Sequence, residues 1–473
     1  MNITIKKQGA DQKNIGQHFI FVTEQQWKEH GESYQKSTGD QFSAKKEETF
    51  TTVSDNKVTF FIGLGNDPKD YEVQETAARF SWSFRNKIKS EPTQLTYLNQ
   101  SNDHIKTVIT GLFLGTYEYP FNSQHPFLAE RFQLICDADT YLPDTVQVEV
   151  MALCEGEFAC REWLNKPQNH KKVHHLTQFL SEISEKYGLK KTVFNREECE
   201  KLGLGAFLSV NQGSAQDCAF TILQYNCGVA DAKTIGLVGK CVLFDTGGIS
   251  IKSSDNLHYM KSDMGGATAV IGALITAGER NLPVNIIAVL PVTDNAVSAS
   301  AYVPSDVVRA YNGKTIEVIN TDAEGRMTLA DGLSYLAENY KTDIMIDLAT
   351  LTGSSVRMFG GTCGALFTND LSLGARLQEA GDRTNQRLWN MPMWDVWLDD
   401  FQSDVADFKN ISLKPVGDCI VAAKFLEQFI GGHPSWAHLD IAGVAFGSVP
   451  YAKEKAATGY GVQLLINFME NIS

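Results

Sequence analysis

From about residue 235 onward, apolar runs of strand length alternate with helix-patterned segments, and this alternation limits the fold more than any other feature. Ile235-Gly-Leu-Val-Gly-Lys-Cys-Val-Leu-Phe244 reads as a strand, followed after a glycine loop by a helix over Gly265–Ala277. Strands over Asn285–Val292 and Thr315–Ile319, a helix over Leu329–Tyr340 and a strand over Asp343–Asp347 continue the series. Parallel strands need a long crossover, usually a helix, so this order predicts an α/β fold with a mostly parallel central sheet flanked by helices. Such sheets bind ligands beyond the carboxyl ends of their strands.

A chain of 473 residues exceeds the size at which single cores stop growing, so two domains are expected. Residues 1 to about 155 carry β-like runs over 58–64, 107–114 and 146–152 and a helical stretch over Tyr71–Lys89, which suggests a smaller N-terminal α/β domain. Gly63-Leu-Gly65 is too little for a phosphate loop. The texture changes near Glu157. A helical segment over Cys160–Asn165 breaks at Pro167, and an amphipathic one over His175–Tyr187 places Leu176, Phe179, Leu180 and Ile183 on one face. We therefore expect an N-terminal domain over 1–155 and a larger one over 156–473, with linking helix at about 157–187.

The net charge of −14 argues against nucleic acid or an anionic membrane as a general partner. Met1–Lys13 holds no apolar segment of signal-peptide length, and no apolar run is long enough to span a bilayer. Nine cysteines without a Cys-x-x-Cys pair read as reduced thiols, which favours a cytoplasmic location.

Four acids stand where strands and helices meet. Asp245 follows an apolar strand and precedes Thr246-Gly247-Gly248, and Asp263 lies at the start of a small-residue helix. Asp322 and Glu324 are two apart after the strand ending at Ile319; an extended segment would point both the same way, with Arg326 continuing the alternation. Singly, each reads as readily as a cap or turn former. Together, four converging carboxylates would raise one another's pKa values, and two divalent cations would neutralise them.

Longer motifs connect these residues to a known family. Val238–Lys252, Met260-Lys-Ser-Asp-Met-Gly-Gly266 and Asn320-Thr-Asp-Ala-Glu-Gly-Arg326 resemble the metal-binding segments of the leucyl (cytosol) aminopeptidases. The likeness continues through Asp347-Leu-Ala-Thr-Leu-Thr-Gly353, Ser403–Asp407, Trp436–Gly443 and Ala457–Gly461, so it covers about 157–473. It implies a two-metal aminopeptidase, a hydrolase of the metalloprotease class that removes the N-terminal residue from short peptides.

By the same resemblance, Lys240, Asp245, Asp263 and Glu324 hold one metal, and Asp245, Asp322 and Glu324 hold the other. Zn²⁺ is the expected ion, exchangeable for Mn²⁺ or Co²⁺ given the hard ligand set. A hydroxide between the metals would attack the scissile carbonyl. Lys252 resembles the cation that stabilises the oxyanion, and Arg326 the arginine that holds a bicarbonate acting as proton shuttle. The Leu351 carbonyl and Gly353 resemble groups that orient the substrate backbone, while Met260 and Thr350 match positions lining the pocket for the first side chain. A homohexamer with its sites facing an internal cavity is also implied. Without the resemblance, Lys240 reads as a strand-end salt bridge and Met260 as core packing. His258 and His438 read as structural. Two other readings are a scaffold or DNA-binding regulator of the same family and a two-metal phosphoesterase.

The chain departs from the family pattern at Thr293–Asp306, which lacks two usual glycines, and at Met327, where leucine is usual. The first departure bears on assembly or substrate preference rather than on metal binding.

Overall fold

Two separate sheets organise the computed structural model of this chain, one in each of two units, Met1–Cys154 and Glu155–Ser473. The structure describes residues 4–7, 15–88, 92–97, 104–119, 133–136, 142–414 and 417–472. Much of the Met1–Lys13 stretch, and Lys89 at the end of the expected helix, lie outside these.

In the first unit the strands are β1 (Thr4–Lys7), β2 (Gln17–Val22), β3 (Thr49–Ser54), β4 (Lys57–Gly63), β5 (Thr93–Tyr97) and β6 (Gln133–Cys136). They lie in the order β1-β6-β5-β2-β4-β3, parallel except for the β3–β4 hairpin. Asp55 and Asn56 turn that hairpin with φ of 49° and 62°, values their short polar side chains tolerate. The expected strand at 58–64 is β4, and the expected helix is Asp70–Ser83. Two expected strands are helical instead. The run 107–114 belongs to helix Ile105–Leu114, buried from Ile105 to Leu114 nearly without interruption, and 146–152 lies inside the helix Asp144–Asn165.

The second unit contains β7 (Lys190–Phe194), β8 (Ala219–Tyr225), β9 (Thr234–Gly239), β10 (Cys241–Asp245), β11 (Asn285–Asn295), β12 (Val307–Arg309), β13 (Thr315–Glu317), β14 (Ile344–Ala349), β15 (Gly364–Thr368), β16 (Leu388–Asn390), β17 (Phe408–Lys409) and β18 (Trp436–Asp440). The central sheet runs β16-β15-β18-β14-β9-β11-β8-β7, with β10 joined to β11. Its middle, β18-β14-β9-β11, is parallel, whereas β15 runs against β18 and β8 runs against both β11 and β7.

Successive strand residues face opposite sides, so the sheet builds two cores. Leu237, Ile346 and Ala288 pack with helix Gly265–Arg280, and Val238, Met345 and Val289 pack with helix Glu324–Asn339.

Three features of this unit differ from expectation. The strand expected over 235–244 is broken at Lys240, whose N–H donates to the Leu348 carbonyl while its own carbonyl accepts from Ala267. The strand expected over 315–319 stops at Glu317 and pairs with β12 and β17 in a small separate sheet. Finally, Glu324 opens a helix rather than extending a strand. Among the described residues no helix is long and apolar enough to cross a membrane. No disulfide joins the nine cysteines, all of which are among the described residues.

Candidate metal centre

The break between β9 and β10 aims Lys240 into the carboxyl end of the sheet. Its Nζ lies 2.7 Å from Asp263 Oδ1 and 2.8 Å from Glu324 Oε1, and donates to the Thr350 carbonyl at 2.9 Å. Thr350 closes the circuit by donating its hydroxyl to Asp263 Oδ1 at 2.9 Å. Glu324 arrives on the first turn of its helix, where free N–H groups favour a carboxylate. The next residue, Gly325, leaves the space beside it to the Lys240 side chain. A Cβ on Gly325 would meet Lys240 Cε at 2.5 Å and Nζ at 2.6 Å.

Asp245 ends β10 and is held from two sides. Its Oδ1 accepts from the Gly247 N–H at 2.8 Å, in a turn where Gly247 has φ of 88°, and from Asn295 Nδ2 at 2.8 Å. Lys252 Nζ lies 2.7 Å from Asp245 Oδ2 and also pairs with Asp322 Oδ1. Oxygens of Asp245, Asp322 and Glu324 lie within 4.8 Å of one another. Asp322 and Glu324 converge although they do not alternate along a strand: Asp322 leaves a turn and Glu324 begins a helix.

Burial first, and the Glu324 charge next, push the Asp245 carboxyl up to about 7 against the pull of Lys252. Burial likewise raises Asp263 well above the carboxylate range and raises Asp322. Burial opposes the charge on Glu324 too, yet Lys240 and Lys252 outweigh it and lower its pKa. Both lysines are desolvated, and the surrounding carboxylates still hold their pKa values above the usual lysine range.

This donor set fits divalent cations. Asp263 Oδ2 and Glu324 Oε2 are buried without a hydrogen-bond partner, and several acids are uncomfortable when charged. A cation would satisfy the lone pairs and relieve the repulsion, and positive charge beside Lys240 would favour its neutral amine. A bicarbonate at Arg326 fits poorly. One terminal nitrogen of Arg326 donates to the Asn410 carbonyl at 2.9 Å, and the other to Asp418 Oδ1 at 3.1 Å.

Met260 and Thr350 both touch Asp263: the Met260 carbonyl, in the turn Leu257–Ser262, accepts from the Asp263 N–H, and Thr350, just past β14, donates its hydroxyl to the carboxylate. The Leu351–Gly353 loop is fixed by Asp440, which accepts from Leu351 N at 3.2 Å, Thr352 N at 3.4 Å and the Thr352 hydroxyl at 2.6 Å. His438 is fully buried, with Nδ1 2.6 Å from Asp347.

Sequence reasoning missed Asn295, Thr321 and Asp418. Asn295 Nδ2 also donates to the Thr321 carbonyl at 3.0 Å, Thr321 Oγ1 donates to the Gly247 carbonyl at 2.7 Å, and Tyr302 donates to the Thr321 carbonyl at 2.8 Å. Thus Asn295 and Tyr302 of the unusual Thr293–Asp306 segment brace the Asp245 and Asp322 loops. The available signal was the end of β11 beside β10, since Asn295 is the register partner of Asp245.

Fold and site together define an α/β protein with a buried carboxylate–lysine cluster of the kind that holds divalent cations. The chain belongs to the cytosol aminopeptidase family, whose catalytic-domain profile matches residues 158–466. A probable cytosol aminopeptidase of Chloroherpeton thalassium is 44% identical over 311 residues, 66% of this chain and 61% of that protein. The chain thus aligns with about three-fifths of that relative's length. One from Rickettsia felis is 36% identical over 89% of this chain and 87% of its own. Among solved structures, a mutant of tomato leucine aminopeptidase superposes with TM-score 0.86 at 27% identity, covering 99% of this chain and 96% of that one. The bottromycin maturation enzyme BotP in complex with Mn gives 0.85 at 28%, covering 97% and 99%.

Proposed function

We propose that this chain is a metal-dependent aminopeptidase that removes the N-terminal residue from short peptides. One observation carries the reading: Lys240, Asp245, Asp263, Asp322 and Glu324 converge from three separate segments, with buried oxygens left unsatisfied. Those five residues would hold two divalent cations, Zn²⁺ by preference and Mn²⁺ or Co²⁺ in exchange. When bound, such a pair polarises the scissile carbonyl and lowers the pKa of water.

The remaining roles fall to the chain itself. Lys252, shared by Asp245 and Asp322, is the cation placed to stabilise a developing oxyanion. Leu351 and Gly353 orient the peptide backbone, on a loop that Asp440 keeps rigid. Met260 and Thr350 line the pocket for the first side chain. A bicarbonate shuttle would have Arg326 as its seat; because Asp418 occupies that guanidinium, no step is assigned to it. A hexamer in the cytoplasm is the assembly and location that go with the family.

The test is release of free amino acid from a panel of aminoacyl amides, by stripped protein and after adding Zn²⁺, Mn²⁺ or Co²⁺. Metal-restored release supports the reading; silence with every metal, or turnover of phenyl phosphate instead, contradicts it.

A further inference from the structure

The guanidinium of Arg326 already carries an anion that the chain supplies. Arg326 is buried two residues past Glu324, and beyond its bonds to Asn410 and Asp418 only the buried Nε lacks a partner. Asp418 opens the helix Asp418–Glu427, whose next N–H, that of Cys419, donates to Ser354 Oγ at 2.9 Å. Ser354 in turn donates to Thr352, inside the loop assigned to substrate orientation. On the other side, Asn410 Oδ1 accepts from Ile319 N at 2.8 Å and its Nδ2 donates to the Asn320 carbonyl at 2.7 Å, which fixes the segment that delivers Asp322. Asp418 therefore stands between two loops of the site. Its side chain is 41% exposed, so water reaches it.

We infer that Asp418 takes the place of a free anion in this site: its carboxylate fills the seat on Arg326 and acts as the proton carrier, an inference that rests on the peptidase reading above. A carboxylate and a bicarbonate offer a guanidinium the same charge and similar oxygens, so they compete for one position. The tethered group has the advantage of effective concentration. In the reaction, the oxygen of the attacking water bonds to the carbonyl carbon and its proton passes to Asp418. Collapse breaks the C–N bond, and Asp418 returns the proton to the departing amine. Water is the one co-reactant consumed.

The test compares wild type, Asp418→Ala and Asp418→Asn, each loaded with Mn²⁺, on leucine amide in CO₂-stripped buffer and after adding bicarbonate. Wild type is expected to be indifferent to bicarbonate. Both variants should lose about 100-fold in kcat, the usual scale for a lost acid–base group, with manganese content unchanged. Bicarbonate should restore most of the loss in Asp418→Ala. Wild-type dependence on bicarbonate, or a fully active Asp418→Ala, overturns the inference. A binding readout on metal-free protein separates this from failure of the peptidase reading. The ¹³C line of labelled bicarbonate should broaden with Asp418→Ala and not with wild type. Broadening with wild type, or with neither, overturns the inference even if no protein hydrolyses any substrate.

Discussion

Replacing Gly325 by alanine tests whether Lys240 is locked where the proposed site needs it. In a helix the change ordinarily stabilises by up to about 1 kcal/mol, through helix propensity and a stiffer unfolded chain. Here the new Cβ would fall 2.5–2.8 Å from Lys240 Cε, Nζ and Cδ. A surface lysine would swing aside, but Lys240 is 3% exposed and tied to Asp263, Glu324 and the Thr350 carbonyl. Overpacking costs about 1–3 kcal/mol, and expelling one member of a buried ion pair about 3–5 kcal/mol. Overpacking is the cheaper response and still exceeds the helix gain, so a net loss of about 1–2 kcal/mol is expected. Urea denaturation of metal-free protein should show a lower midpoint at an unchanged slope. Metal affinity should also fall, by the 10–100-fold typical of disturbed ligand support. A variant as stable as wild type that keeps its metals would refute the idea that Lys240 is pinned.

Other outcomes follow from the same geometry. Asn295→Ala removes one donor to Asp245 and one to Thr321, and should weaken metal binding about 10–100-fold in a competition titration with a chelator. Arg326→Ala should slow release of leucine from leucine amide by about 100-fold while metal content by mass spectrometry stays at the wild-type value; loss of the metals would refute its assigned role. In the N-terminal unit, burial and then Lys57 lower the His18 pKa from 6.5 to about 3. The folded state thus binds fewer protons than the unfolded one, so this stability is complete above pH 6.5 and declines as pH falls toward 3. The full difference is on the order of 5 kcal/mol, and His18→Gln should flatten that part of the stability–pH curve.

Much of the central sheet was legible because the apolar strands β9, β11 and β14 are covered on both faces. The helix Gly265–Arg280 was legible from its small residues between two strands. The errors have physical causes. Val146-Gln-Val-Glu-Val150 alternates as a strand should, but Val148 is 45% exposed on a helix that spans Asp144–Asn165. The run 107–114 is apolar on every side, which periodicity cannot tell from a buried strand. Glu324 was read as extended because Ala323, which begins its helix, offers no capping side chain. The ligand candidates were legible as long motifs, whereas Asn295 and Asp418 act through contacts across 50 and 92 positions of sequence, and no local pattern announces them.

The central claim is that these acids and Lys240 bind a pair of cations. Anomalous diffraction from crystals grown with Mn²⁺ tests it most directly. Two peaks are expected about 3.5–4 Å apart, one beside Lys240 and Asp263, the other beside Asp322, and both against Asp245 and Glu324. A single peak, or manganese held elsewhere while these side chains keep their present ion pairs, would contradict it.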